Sequence, residues 1–135
     1  MAPIGGGPPL SSGNTFTGVA QGISYVGDHA YAYSGSVDVD DNETVLINFT
    51  IGGHYLVAQF QPGNNFTGGT DSQFKIYIDD ALILSTHVAS SSTGTPFEEL
   101  EFIVPPYSRI KITGRNASDS GTIGVLGSVT AEVKR

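Results

Sequence analysis

Cysteine and tryptophan are both missing from this 135-residue chain, and methionine occurs once. Without cysteine there is no disulfide framework, no thiol nucleophile and no Cys-based zinc site. Stability has to come from a packed core or from contacts between subunits. Charge is scarce as well, at 14% of residues, and lopsided: thirteen acidic side chains against six basic ones leave a net charge of -7. No stretch of the sequence clusters lysine and arginine. Nucleic-acid binding rests on neutralising phosphates, so no nucleic-acid partner is expected. An anionic membrane surface is excluded on the same ground. Apolar runs are only a few residues long, too short to span a bilayer. The first residues, MAPIGGGPPLSSGN, have neither a basic start nor an apolar centre, so no signal peptide is expected.

What remains is rich in Gly, Ser, Thr and Asn, a composition that favours strands joined by many turns. The length fits one domain with a real core. Residues 1–14 form a Gly/Pro/Ser-rich arm whose few large apolar side chains cannot offset the entropy of ordering it alone. It is either a loose leader or an extended arm that orders across a neighbouring subunit. In the second case Pro3, Ile4, Pro8, Pro9 and Leu10 are the partner-binding residues. Residues 15–135 are expected to be a single β-sandwich domain.

Within that domain the dominant signal is alternation at a period of two. Leu100, Phe102 and Val104 share a face, Pro105-Pro106 breaks the strand, and Ile110 and Ile112 resume the pattern opposite Arg109, Lys111 and Thr113. Residues 22–26 suit a short strand. Residues 29–39 read as one long strand with Tyr31, Tyr33, Gly35, Val37 and Val39 on its apolar side. Residues 44–51 follow, with Val45, Ile47, Phe49 and Ile51 inward. Residues 54–61 are apolar on both faces, as in a strand covered on both sides or at a subunit contact. Phe74, Ile76 and Ile78 define the next strand, and Asp79-Asp80 is the tip of a hairpin whose second arm is 81–88. Loops are expected at 62–72, 89–96 and 114–121. The last strand, 122–133, buries Val125, Val129, Ala131 and Val133, with Gly124 and Gly127 marking a bulge or bend. Eight or nine strands and no sustained helical period predict an all-β, antiparallel β-sandwich. A jelly roll fits the count best, ahead of another sandwich or a closed barrel.

Chemistry is harder to find. His29, His54 and His87 lack metal-ligand spacing. Asp28-His29 beside many serines invites a hydrolase reading, but no Gly-x-Ser-x-Gly turn exists, and Ser34-Gly35-Ser36 falls inside a predicted strand. The acidic run Asp38, Asp40, Asp41 and Glu43 is the best calcium candidate, although it lacks the glycine and distant glutamate of an EF-hand and suits a solvated turn. Asn42, Asn48, Asn65 and Asn116 each begin an Asn-x-Ser/Thr triplet, which loop asparagines largely account for. Tyr77 and Tyr107 could stack on sugar rings, whereas Tyr31 and Tyr33 are assigned to the core or to a subunit contact. No catalytic residue, metal or cofactor is expected.

The stretches HAYAYSGSVDVDDNETVLINFTIGGHYLVAQFQ, KIYIDDALIL and EFIVPPYSRIKIT, within residues 29–133, resemble the small jelly-roll structural proteins of virus particles. Decoration or cement proteins of tailed-phage heads are the nearest class. The resemblance implies a non-enzymatic homotrimer seated on the outer capsid surface, with the major capsid protein as partner and a terminal arm reaching between capsid subunits. The alternative is a carbohydrate- or receptor-binding module, a fibre head or lectin-like domain, using Tyr and Asn/Asp side chains of the loops 62–72, 89–96 and 114–121 at one end of the sandwich; loss of glycan binding on changing Tyr107 or Asn65 would favour it.

Overall fold

Strands whose side chains alternate between apolar and polar must bury one face, and two such sheets satisfy each other by stacking. The computed structural model describes residues 22–64, 71–88, 99–118 and 120–134. Among them are ten strands: β1 (Ser24–Val26), β2 (His29–Tyr33), β3 (Val37–Val39), β4 (Thr44–Thr50), β5 (Tyr55–Asn64), β6 (Ser72–Ile78), β7 (Ala81–Val88), β8 (Leu100–Val104), β9 (Arg109–Asn116) and β10 (Ile123–Lys134). No helix occurs among the described residues, so none there is long and apolar enough to cross a membrane. All pairings are antiparallel.

The protein is an antiparallel β-sandwich. The first sheet runs β1-β2-β10-β5-β8, with β3 also paired to β10; the second runs β4-β9-β6-β7. From β3 onward the chain crosses between the sheets at every connection except the β6–β7 hairpin, whereas β1, β2 and β3 follow one another within the first sheet. The core lies between the layers. Leu56, Ala58, Phe60, Val125 and Val129 come from the first sheet, and Leu46, Ile47, Phe74, Ile76, Ile110 and Ile112 from the second. Phe60 and Phe74 meet with centroids 5.8 Å apart, inclined at 59°. Each of these buried side chains other than Ala58 stabilises the fold by roughly 1.5–3 kcal/mol relative to exposure.

Local chemistry sets the turns. Asp79 and Asp80 have φ of 50° and 69°, the left-handed pair that a two-residue hairpin loop demands and that aspartate tolerates better than most residues. The Asp79 carboxylate also accepts the Arg109 backbone N–H at 2.9 Å, tying the tip to β9. After Pro105-Pro106, Tyr107 takes φ 62° and its N–H donates to the Gly52 carbonyl at 2.8 Å, which turns the chain into β9.

Several expectations are corrected. Residues 29–39 are two strands out of phase. Ala30 and Ala32 face the core in β2 while Tyr31 and Tyr33 stand outside at 45% and 44% exposure, and Val39 returns inward in β3. Gly35, at φ 70°, produces the phase change, so Ser34-Gly35-Ser36 lies between strands and not within one. In β4 a register shift between Val45 and Ile47 lets Leu46 enter the core beside Ile47, and Val45 stays half-buried. β5 extends through Asn64 and β9 through Asn116, into stretches expected to be loop. β10 pairs with β5 without a shift from Val125 to Lys134, so no bulge forms at Gly127. Its glycine has another cause: a Cβ there would lie 2.6 Å from the ring of Phe60.

Candidate functional site

With the inner faces consumed by the core, any site among the described residues has to use the outer faces or the strand ends. On the second sheet, register places Gln73, Lys75 and Tyr77 of β6 opposite Arg115, Thr113 and Lys111 of β9. Asn48 and Thr50 of β4 flank Lys111 and Arg109, and Ser85 and His87 of β7 flank Lys75 and Gln73. Glu43, from the turn before β4, folds over this face. It accepts hydrogen bonds from the hydroxyls of Tyr77 and Thr113, both at 2.7 Å, and lies 3.6 Å from the Lys75 ammonium. The Lys111 ammonium sits 4.7 Å above the Tyr77 ring centre, and Arg115 Nε donates to the Gln73 amide oxygen at 2.7 Å. Lys75, Arg109, Lys111 and Arg115 thus bring four of the six basic side chains to one face of an acidic protein.

That cluster escaped the linear reading because β9 spaces its cations at every second or fourth residue, and only strand pairing adds Lys75 from β6. The spacing within β9 was a usable signal.

Partial burial alone would raise the Glu43 pKa, but the Tyr77 and Thr113 hydroxyls and the Lys75 charge outweigh it, and the net shift is downward from 4.5. The Tyr77 hydroxyl, donating to Glu43, is shifted upward. A carboxylate held lower in the folded state than in the unfolded one contributes stability above the unfolded value, and that contribution disappears as pH falls through the folded one. The stability advantage of the native chain over Glu43→Gln is therefore expected to shrink below about pH 4.5. Denaturant titrations of both proteins at neutral pH and in acid measure it. With the side chain 38% exposed, the effect is small.

The first sheet's outer face differs. Tyr31–Thr130–Gln59–Glu101 and Tyr33–Ser128–Gln61 form neighbouring cross-strand rows. Val26 and Ile103 stand at 65% and 59% exposure at opposite edges. Tyr55, on the same face, is 39% exposed. Tyr31 and Tyr33 are consequently not core residues. Uncharged side chains dominate here, with Gln59 donating to Glu101 at 3.1 Å.

The remaining candidates are scattered. Tyr107 is 77% exposed at the Pro-Pro corner, its ring close over Gly53. Tyr77 is committed to Glu43 and Lys111, which leaves the stacking of a sugar on it without a free ring face on the Lys111 side. His54 Nε2 hydrogen-bonds the Tyr25 hydroxyl at 3.1 Å with the rings edge-on, His87 pairs with Asp71 at 3.2 Å, and His29 sits opposite Glu132. The acidic run does not converge: Asp40 accepts the Asn42 N–H at 2.9 Å, Asp38 points outward, and Glu43 turns to the other sheet. Among the described residues no group of three or more metal-ligating side chains forms. Asn116 is 1% exposed at the end of β9 and its amide donates to the Gly121 carbonyl at 2.8 Å, a fixed structural post and not an exposed loop asparagine. Pro3, Ile4, Pro8, Pro9 and Leu10 of the arm lie outside the described residues, as does the side chain of Asn65.

No protein-family profile matches the chain, and no curated protein matches it. Among solved structures, the crystal structure of the insecticidal delta-endotoxin Cry8Ea1 from Bacillus thuringiensis is similar at a TM-score of 0.40 and 9% identity, over 78% of this chain. The chain spans only 18% of that toxin's length, and a likeness at this level bears on neither function nor partners.

Proposed function

We propose that the protein is a non-enzymatic structural component of a virus particle, a capsid decoration or cement protein that binds the outer capsid surface as a homotrimer. The observation that carries this reading is the first sheet's outer face. Tyrosine rings and aliphatic side chains there are exposed in a pattern suited to burial against another protein surface, because aromatic side chains supply large contact area at low entropic cost. The strand order gives support. With β1 set aside and β2 and β3 taken as one interrupted strand, eight strands make two four-stranded sheets, the plan of a jelly roll. A jelly roll is the architecture that the resemblance to virion proteins implies. The arm, with Pro3, Ile4, Pro8, Pro9 and Leu10, would lie between neighbouring capsid subunits and add affinity through multivalency.

Light scattering and co-sedimentation with empty shells of the major capsid protein from the same genome test the proposal. A trimer that pellets with shells is expected, and Tyr31→Ser/Tyr33→Ser is expected to weaken trimer or shell binding by roughly tenfold or more. A monomer that leaves the shells bare would end this reading.

A further inference from the structure

We propose that the outer face of the second sheet binds an acidic polysaccharide, a polymer of uronic acids or sulfated sugars. The inference goes beyond the capsid reading and does not rest on it.

Charge complementarity is the starting point. The chain carries a net charge of -7, yet Lys75, Lys111 and Arg115 converge on this face, with Arg109 at its end. Arg109 is engaged by Asp80 and Lys75 by Glu43. Among the described residues, Lys111 and Arg115 have no carboxylate partner; their contacts are the Tyr77 ring, the Gln73 amide and the Asn116 carbonyl. Thr113 separates them on β9 and Lys75 lies opposite Thr113, so the three cations zigzag along the sheet at diagonal steps of about 7 Å. Stacking on Tyr77 and the Gln73 contact hold two of the cations in place before any ligand arrives, which lowers the ordering cost of binding.

The groups between the cations define the polymer. Asn48 and Ser85, on the flanking strands, supply donors and acceptors suited to sugar hydroxyls, while Thr113 is buried with its hydroxyl committed to Glu43. A nucleic acid, with a charge every ~1.7 Å of duplex axis, would meet far more repulsion from the remaining acidic surface than a chain of sparsely charged sugars. An acidic peptide could not dock by strand addition, because β9 and β6 are interior strands with both edges already paired. Glu43 sits beside Lys75 and Asp80 engages Arg109, and of the two carboxylates Glu43, at the centre of the face, limits the affinity of the native protein most.

The test is retention of the full chain on immobilised alginate and heparin at low ionic strength, with neutral dextran and polyglutamate as comparison matrices. Native protein is expected to bind the acidic polysaccharides and elute with added salt. Lys111→Gln/Arg115→Gln is expected to weaken binding roughly tenfold. Glu43→Gln, which keeps hydrogen-bonding capacity toward Tyr77 and Thr113, is expected to tighten it several-fold, a gain that misfolding could not produce. Lys134→Gln, away from the face, is expected to leave it unchanged. Failure of the native chain to bind either acidic polysaccharide would overturn the proposal. So would undiminished retention of the double variant, or equal retention on dextran or polyglutamate. The solution mass and shell binding of these variants separate this outcome from the fate of the capsid reading.

Discussion

Truncation of Phe60 to alanine is expected to destabilise the protein by about 4 kcal/mol. The ring is fully buried, spans the gap between sheets to meet Phe74, and occupies the space over Gly127. Its removal loses the transfer free energy of the ring and leaves a cavity that paired strands cannot collapse to fill. Gly127→Ala makes the opposite error. The new Cβ would come within 2.6 Å and 3.0 Å of two ring carbons, so the fully buried ring would have to shift against its neighbours, and a loss of about 2 kcal/mol is expected. Combined, the two changes are expected to cost no more than Phe60→Ala alone, because the methyl then enters vacated space. Urea titration of the four proteins of this cycle measures the coupling. Additive losses, near 6 kcal/mol in total on these estimates, would show that the contact between Phe60 and residue 127 is not what constrains either position.

The second large effect is expected for Ser34→Ala, about 2 kcal/mol. Ser34 lies in the break between β2 and β3, where β10 loses a regular neighbour. Its N–H donates to the Gly127 carbonyl at 3.0 Å, and its side-chain oxygen accepts the Gly127 N–H at 2.9 Å while donating to the Gly35 carbonyl at 2.7 Å. A hydroxyl therefore replaces the backbone acceptor that an uninterrupted strand would have offered. Both residues are buried, so alanine leaves the Gly127 N–H without an acceptor and out of reach of bulk water. Ser36→Ala, on an exposed position of the same break, is expected to change stability by less than ~0.5 kcal/mol. A similarly small change at Ser34 would mean that another group already satisfies that N–H.

These two sites also mark where sequence reading stops working. Strands such as Ser72–Ile78 and the Asp79-Asp80 tip follow directly from alternation and turn chemistry. So do the inward positions of Phe102, Val104, Ile110 and Ile112. Alternation states which residues share a face, but not which face is inside when both are acceptable. In β2 the choice lay between tyrosines and alanines. Tyrosine looks more apolar by size, yet its hydroxyl keeps water while Ala30 and Ala32 fit beside Ala131 and Val129. A single left-handed residue, Gly35, then reverses the phase, and nothing local announces it. Leu46 entered the core for a similar reason, since a one-residue register shift is invisible to a period of two. The basic face was half legible: Arg109, Lys111 and Arg115 stand on one side of β9, but joining Lys75 to them required knowing that β6 is the neighbour.

The position of β10 has a consequence for biosynthesis. Once β9 has left the ribosome, every strand of the second sheet is in hand, whereas the first still lacks the strand that sits between β2 and β5. Until β10 arrives, β2 and β5 expose ladders of unpaired N–H and carbonyl groups, templates for pairing with other nascent chains. The second sheet can assemble first, and the first closes only when β10 joins segments about a hundred residues apart.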